Sequence, residues 1–259
     1  MAFALAACDK GLFQVHPYDV QITGATNVNA VNMKRIEQDT QGKDTLRVAF
    51  ISDSHLWLSE FRDEVDDINR RDSIDFVIHC GDVTDTGTSK EYMWGRDIFQ
   101  RLNKPHVMLI GNHDFLGTGD QCYKKIFGSL DFSFIAGRVK FVCLNTNATE
   151  YDYLAAVPNF DYMEDQITAD SSRFDRTVVV MHARPGSEQF NNNVRKSFNY
   201  YVHLFPGLYC CVNGHDHIFQ ADDLFDDGLM WYGVASAAKR GYLIFTFTPQ
   251  GYSYEKVSF

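Results

Sequence analysis

The sequence has no apolar run long enough to span a membrane, no internal repeat and no low-complexity tract. Its six cysteines include no CxxC pair and no disulfide-rich spacing, which argues against thiolate metal ribbons and disulfide-stapled scaffolds. Basic residues are outnumbered: 24 Lys and Arg against 34 Asp and Glu give a net charge of −10. That balance argues against a broad electrostatic grip on nucleic acid or anionic lipid, so no nucleic-acid polymer is expected as a partner. A small anion is not excluded, because bound cations reverse the field locally.

What is present is the composition of a soluble globular protein, 45% hydrophobic, 14% aromatic and 22% charged. At 259 residues it has the length for one large domain with a substantial core. Cys80, Cys143, Cys210 and Cys211 lie in apolar runs and read as small buried hydrophobes. Cys8 differs. Leu5-Ala6-Ala7-Cys8 resembles a bacterial lipobox, and Asp9-Lys10-Gly11 reads as a polar tether behind it. Only seven residues precede Cys8 and none is basic, short of the charged and apolar regions of a signal peptide. The expectation is a lipid anchor at Cys8 of a truncated precursor, in the cell envelope or periplasm; without that anchor the location is cytoplasmic. The sequon Asn147-Ala148-Thr149 is too common a pattern to carry weight.

Two regions are expected: an N-terminal preamble, 1–45, and one domain, 46–259. The preamble has an extended piece near 13–22 and a polar helix over 27–41. From Leu46 short apolar runs alternate with amphipathic ones, the texture of an α/β domain. Buried strands are expected at 46–51, 76–80, 106–110, 141–144, 177–181 and 208–213. Pro105 ends the helix before the third of them. Thr88 and Glu91 fit a capping box, with Tyr92, Gly95, Phe99 and Leu102 on one helical face. "FRDEVDDINRR" is a second helix. From His217 the period-two texture with Gly and Pro-Gln-Gly turns predicts an antiparallel meander.

Five of the apolar runs lead directly into polar clusters: Asp53-Ser54-His55, Gly81-Asp82-Val83-Thr84-Asp85, Gly111-Asn112-His113-Asp114, His182, and Gly214-His215-Asp216-His217. Ligands of open α/β sheets bind beyond the carboxyl ends of strands, so the clusters should converge on one crevice. Asp53 and His55, like His215 and His217, are two apart and share a side if the backbone is extended. Carboxylates, imidazoles and one amide without thiolate suit Mn, Fe or Zn better than Ca or Mg. Seven such groups exceed one tetrahedral site but serve two adjacent ions if a carboxylate bridges. Gly81, Gly111 and Gly214 suit tight turns close to ions. Taken alone, Asp-x-His arises by chance and a strand-end histidine is more often structural; five blocks in order leave chance a small share. His16, His79, His106 and His203 lack such company and receive no role.

With this pattern of D-x-H, GD, GNHD, a lone H and GHxH, the sequence resembles the calcineurin-like metallophosphoesterase superfamily over most of 46–248. The resemblance implies an α-β-β-α sandwich of two mixed sheets flanked by helices. It implies one metal ion on Asp53, His55, Asp82 and His217, and a second on Asp82, Asn112, His182 and His215, with Asp82 bridging. It further implies that His113 stabilises the phosphate and protonates the leaving oxygen, with Asp114 orienting it, and that a hydroxide activated by the two ions attacks. The expected activity is hydrolysis of phosphoric mono- or diesters. "GDVTDTG", with Asp85, is similar to the cyclic-nucleotide-phosphodiesterase branch; purple acid phosphatases carry a tyrosine where this chain has Asp85. Asn112, His113 and Arg184 are candidate substrate contacts, Arg184 being equally readable as a surface arginine.

The alternative is a non-catalytic metal-binding surface or scaffold protein of the same fold, which an intact ligand set disfavours. No protein partner is expected. Substrate choice should depend on the segments 116–130 and 145–162, where Tyr151, Tyr153 or Phe160 either stack on a substrate or pack on the sheet edge. Trp57 and Leu58 read as an apolar lip.

Overall fold

The computed structural model describes residues 16–149 and 156–259. The lipobox at 5–8, with Cys8, and Tyr151 and Tyr153 lie outside them. In chain order the first half contains α1 (Val28–Asp39), β1 (Leu46–Ile51), α2 (Leu58–Asn69), β2 (Phe76–His79), α3 (Ser89–Phe99), β3 (His106–Met108) and α4 (Gly119–Ile126). Then follow β4 (Phe132–Ala136), β5 (Val139–Leu144), α5 (Phe160–Thr168), β6 (Arg176–Met181), α6 (Arg195–His203) and β7 (Leu208–Asn213). The chain ends with β8 (Gln220–Asp223), β9 (Met230–Gly233), β10 (Gly241–Thr248) and β11 (Gly251–Ser258).

These strands form two mixed sheets, ordered β11-β10-β1-β2-β3 and β4-β5-β6-β7-β9-β8. The inner faces meet in a core that includes Phe50, Phe76, Phe141, Val178, Val212, Phe245 and Phe247. A second cluster packs Phe61, Val65 and Ile68 of α2, Tyr92 and Phe99 of α3 and Tyr123 of α4 on the outside of the first sheet. A third packs Met163 of α5 and Phe198 and Val202 of α6 against Val179, Cys211 and Trp231 of the second. The architecture is the expected α-β-β-α sandwich. The capping box is present, Thr88 accepting from the Glu91 backbone and Glu91 from the Thr88 backbone.

The described part of the extended piece, 16–22, is a strap held by α3, where Ser89 Oγ donates to the Asp19 carbonyl at 2.8 Å. Two expectations change. The terminal meander is two hairpins in different sheets: β8–β9 edges the second sheet, β10–β11 the first. Alternation marks a strand, but its sheet is chosen by the core its apolar residues fill: Phe245 and Phe247 between the sheets, Trp231 beneath α6. Finally, β4 pairs antiparallel with β5 along an edge not anticipated.

α1 covers the edge of β3 through polar side chains. Asn29 Nδ2 donates to the Met108 carbonyl at 2.9 Å, and Asn29 Oδ1 accepts from the Met108 N–H at 3.0 Å. Asn32 Oδ1 accepts from the His106 N–H at 3.2 Å. Two asparagines thus stand in for a missing neighbour strand, which explains a helix so polar in sequence yet buried at these positions. No helix among the described residues is long and apolar enough to cross a membrane.

Candidate metal centre

The parallel strands β1, β2, β6 and β7 and the short β3 end on the same side, and their polar blocks meet there. The turns interlock through the backbone: the Asp53 N–H donates to the Gly81 carbonyl at 3.0 Å and the His55 N–H to the Asp82 carbonyl at 3.1 Å. The expected extended geometry of the two paired motifs is not what aims them. Asp53, His55, Asp82, His215 and His217 all have left-handed φ, of 50°, 44°, 59°, 70° and 57°. Each such non-glycine residue costs about 1–3 kcal/mol and persists where its surroundings fix it, commonly at functional sites. The glycines serve close approach: a Cβ on Gly111 would overlap Asp82 Oδ1, and Gly81 also has φ of 104°.

Three groups have ligand atoms within 4.8 Å of one another: the triads Asp53–His55–His217 and Asp82–His182–His215, and a third, His55–Asp85–His113, that shares His55 with the first. Asn112 Oδ1 lies 3.0 Å from both His182 Nε2 and His215 Nδ1. Asp82 Oδ2 lies between the triads, 3.2 Å from His182 Nε2 and 3.8 Å from His55 Nε2. Asp53 Oδ1 is fully buried and 3.2 Å from His217 Nε2, yet no aligned hydrogen bond satisfies it. An unsatisfied buried carboxylate oxygen within a converging oxygen and imidazole set fits divalent cations. All seven sequence-predicted ligands are in this crevice.

The electrostatics agree. Burial pushes the Asp53 carboxyl up, but His217 and His182 more than offset it and leave it well below the usual carboxylate range. Burial lowers the His182 pKa, while the Asp82 and Asp53 carboxylates more than offset this and hold it at about 10. His217 is raised by the Asp53 carboxylate beside it, against desolvation, and His215 is lowered by burial and by His182. A cation bound here would therefore displace protons.

The outward nitrogens of the histidines are tied down, which orients the inward ones. His182 Nδ1 lies 2.8 Å from the Cys80 carbonyl, His55 Nδ1 2.8 Å from Asp85 Oδ1, and His215 Nε2 3.3 Å from Glu188 Oε1. His113 Nδ1 lies 2.8 Å from the Asp85 carbonyl. The expected contact of Asp114 with the His113 ring is therefore not made. Asp114 is buried and its two oxygens accept from the N–H groups of Asp82, Val83, Thr84 and Gly111 and from Thr84 Oγ1. Burial, then the neighbouring Asp82, raises its pKa to about 7. It shapes the Asp82 turn. Short polar side chains in turns satisfy nearby backbone donors first, and that local demand wins here over the histidine.

Arg184 is paired with Asp216, Nε to Oδ2 at 2.6 Å, and so links the His182 turn to the His215–His217 turn. Three supporting groups lacked a signal strong enough to be singled out for this role. Asp85 was noted only for its family type and Glu188 sits in a loop. His79, given no role, has Nε2 3.0 Å from Ser54 Oγ behind the first block. A sixth polar block, Asn145-Thr146-Asn147, follows β5 in the same strand-end pattern. It is buried, with Asn147 Nδ2 donating to the Ile110 carbonyl at 3.0 Å, so the sequon asparagine is inaccessible in the folded chain. Phe160 packs on Tyr201, ring centroids 5.0 Å apart, in the core under α5 rather than at the crevice. Leu58 is partly buried against α2's core; Leu56 is exposed beside Trp57 instead.

The chain belongs to the calcineurin-like phosphoesterase family, whose model matches residues 46–219. Membership implies a hydrolase of phosphoesters that uses divalent metal ions. Among solved structures, a dimetal phosphatase from Danio rerio is similar at 11% identity, with 82% of this chain and 98% of that one covered and a TM-score of 0.63. GAP50, the anchor in the inner membrane complex of Plasmodium, matches at 12% identity, 83% and 85% coverage and a TM-score of 0.63. The purple acid phosphatase PPD1 from yellow lupin seeds matches at 13% identity over 83% of this chain and 52% of that one, TM-score 0.63. At these identities the likeness is one of fold. No curated protein sequence matches the chain.

Proposed function

We propose that the chain hydrolyses phosphate mono- or diesters with two metal ions, one held by Asp53, His55, Asp82 and His217, the other by Asp82, Asn112, His182 and His215. The observation that carries this reading is the position of Asp82 Oδ2, within 4 Å of inward nitrogens from both triads. When bound, such ions lower the pKa of water towards neutrality and offset the charge of the phosphoryl group.

The chain's own residues supply the rest. Asn112 contributes a neutral oxygen where two buried carboxylates already concentrate negative charge. His113 is the proton donor to the leaving oxygen. Its Nδ1 proton is engaged by the Asp85 carbonyl, so Nε2 is the nitrogen that takes and gives a proton. Its ring lies edge-on to His55 at 4.8 Å, beside the first triad but outside both of the triads that would hold the two ions. The scaffold alternative draws on the fold it shares with an anchor protein; the complete converging donor set favours hydrolysis.

The test is turnover of chromogenic phosphate mono- and diesters with Mn²⁺, comparing wild type, His113→Ala and Asp82→Ala. His113→Ala should keep its bound metal and lose about 10²–10⁴-fold in rate, while Asp82→Ala should lose metal and activity together. Comparable rates in all three proteins would refute the reading.

A further inference from the structure

Charged side chains border the second triad, where Arg184 pairs with Asp216 and Glu188 reaches His215. Next along the chain from His55 and His217 of the first triad, three large apolar side chains are exposed: Leu56 at 44%, Trp57 at 40% and Ile218 at 47%. Leu56 and Trp57 follow His55, Ile218 follows His217, and the Trp57 ring meets both histidines near-perpendicularly, centroids 5.4 and 6.1 Å away. Single exposed apolar residues are ordinary, but a group of them abutting a polar site has a use. The backbone of Trp57 is also held in place. The Trp57 N–H donates to the Ser54 carbonyl at 3.1 Å, and its own carbonyl accepts from the Phe61 N–H at 2.9 Å in the first turn of α2.

We propose that this lip, with Trp57 as its main surface, receives the leaving group and selects phosphoesters whose leaving group has a flat apolar face. An aryl alcohol or a nucleoside has that chemistry; a free sugar or glycerol does not. The inference rests on the phosphoester reading above and specifies its substrate class. His113 and Trp57 flank the same His55 ring, at 4.8 and 5.4 Å. In the proposed complex a leaving group protonated at His113 Nε2 extends past the His55 ring towards the indole. The nearby Glu188 and Asp216, and a net charge of −10, oppose a second anionic group there. A planar uncharged ring stacks on an indole without regard to its hydrogen-bonding pattern, so the lip selects a class and not one compound.

The test is calorimetric binding to Mn²⁺-loaded protein of adenosine 5′-monophosphate, ribose 5-phosphate and octyl phosphate, with wild type, Trp57→Ala and Trp57→Phe. The adenosine compound should bind wild type about tenfold more tightly than ribose 5-phosphate, the gain of one stacked base. Trp57→Ala should erase that gap while still binding ribose 5-phosphate, and Trp57→Phe should keep most of it. Equal or unmeasurable affinities in wild type, or a gap that survives Trp57→Ala, overturn the proposal. So does an equal gain for octyl phosphate, which would assign the lip to alkyl chains. Absence of turnover on chromogenic esters would instead count against the phosphoesterase reading, since these affinities do not depend on hydrolysis.

Discussion

At the proposed ligand His182 a metal ion and a proton would compete for one nitrogen. The imidazole is fully buried, its Nδ1 faces the Cys80 carbonyl, and Nε2 lies 3.2 Å from Asp82 Oδ2. With its pKa held at about 10, it is protonated across neutral pH until a cation displaces the proton. Metal binding should therefore release protons, and affinity should fall as pH falls. The expected slope is up to about tenfold in Kd per pH unit for each proton displaced. Mn²⁺ titrations at pH 6.5 and 7.5 check this; a pH-independent Kd would show that His182 is not a ligand. Residue types were legible at this scale because coordination demands specific atoms. Second partners were not, because Asp85 and Glu188 reach their histidines, and His79 reaches Ser54, through a tertiary course that sequence spacing does not fix.

Among the elements, the strand-end turns carry the ligands, and helices and strands set the ends of those turns. β1, β2, β6 and β7 were readable as apolar runs because strands buried on both faces need little else. The exception was α1, which lacks a clear apolar stripe because its task is to bond the edge of β3. Asn29→Ala removes both bonds to Met108 and leaves the buried Met108 N–H without a partner, while the carbonyl keeps the Tyr123 hydroxyl at 2.6 Å. It should destabilise the fold by about 2 kcal/mol, measured by urea unfolding. Asn29→Asp should also lose stability, since a carboxylate accepts from the N–H but cannot donate to the carbonyl. A loss below about 0.5 kcal/mol in Asn29→Ala would mean that the β3 edge is satisfied some other way.

For the molecule as a whole, the crevice concentrates buried negative charge and five left-handed non-glycine residues in one place. A bound cation relieves the first and justifies the second. Ions that bind the folded chain alone should stabilise it by mass action, about 2.7 kcal/mol at 100 times Kd. Thermal unfolding with Mn²⁺ and then with excess chelator checks this: Tm should rise and return, and Asp82→Ala should show little rise. By itself, the sequence determined which side chains can bind cations, the order of their five blocks and the strand beneath each, because ligand chemistry and buried strands are local properties. Tertiary structure alone decided which sheet each terminal hairpin joins, that Asp114 holds a turn while Asp85 holds His113, and that the paired motifs reach the centre through left-handed backbone. Those outcomes depend on which backbone donors remain unpaired once the sheets have packed. The histidine in Gly111-Asn112-His113-Asp114 is set by a carbonyl 28 residues away, a distance only folding closes.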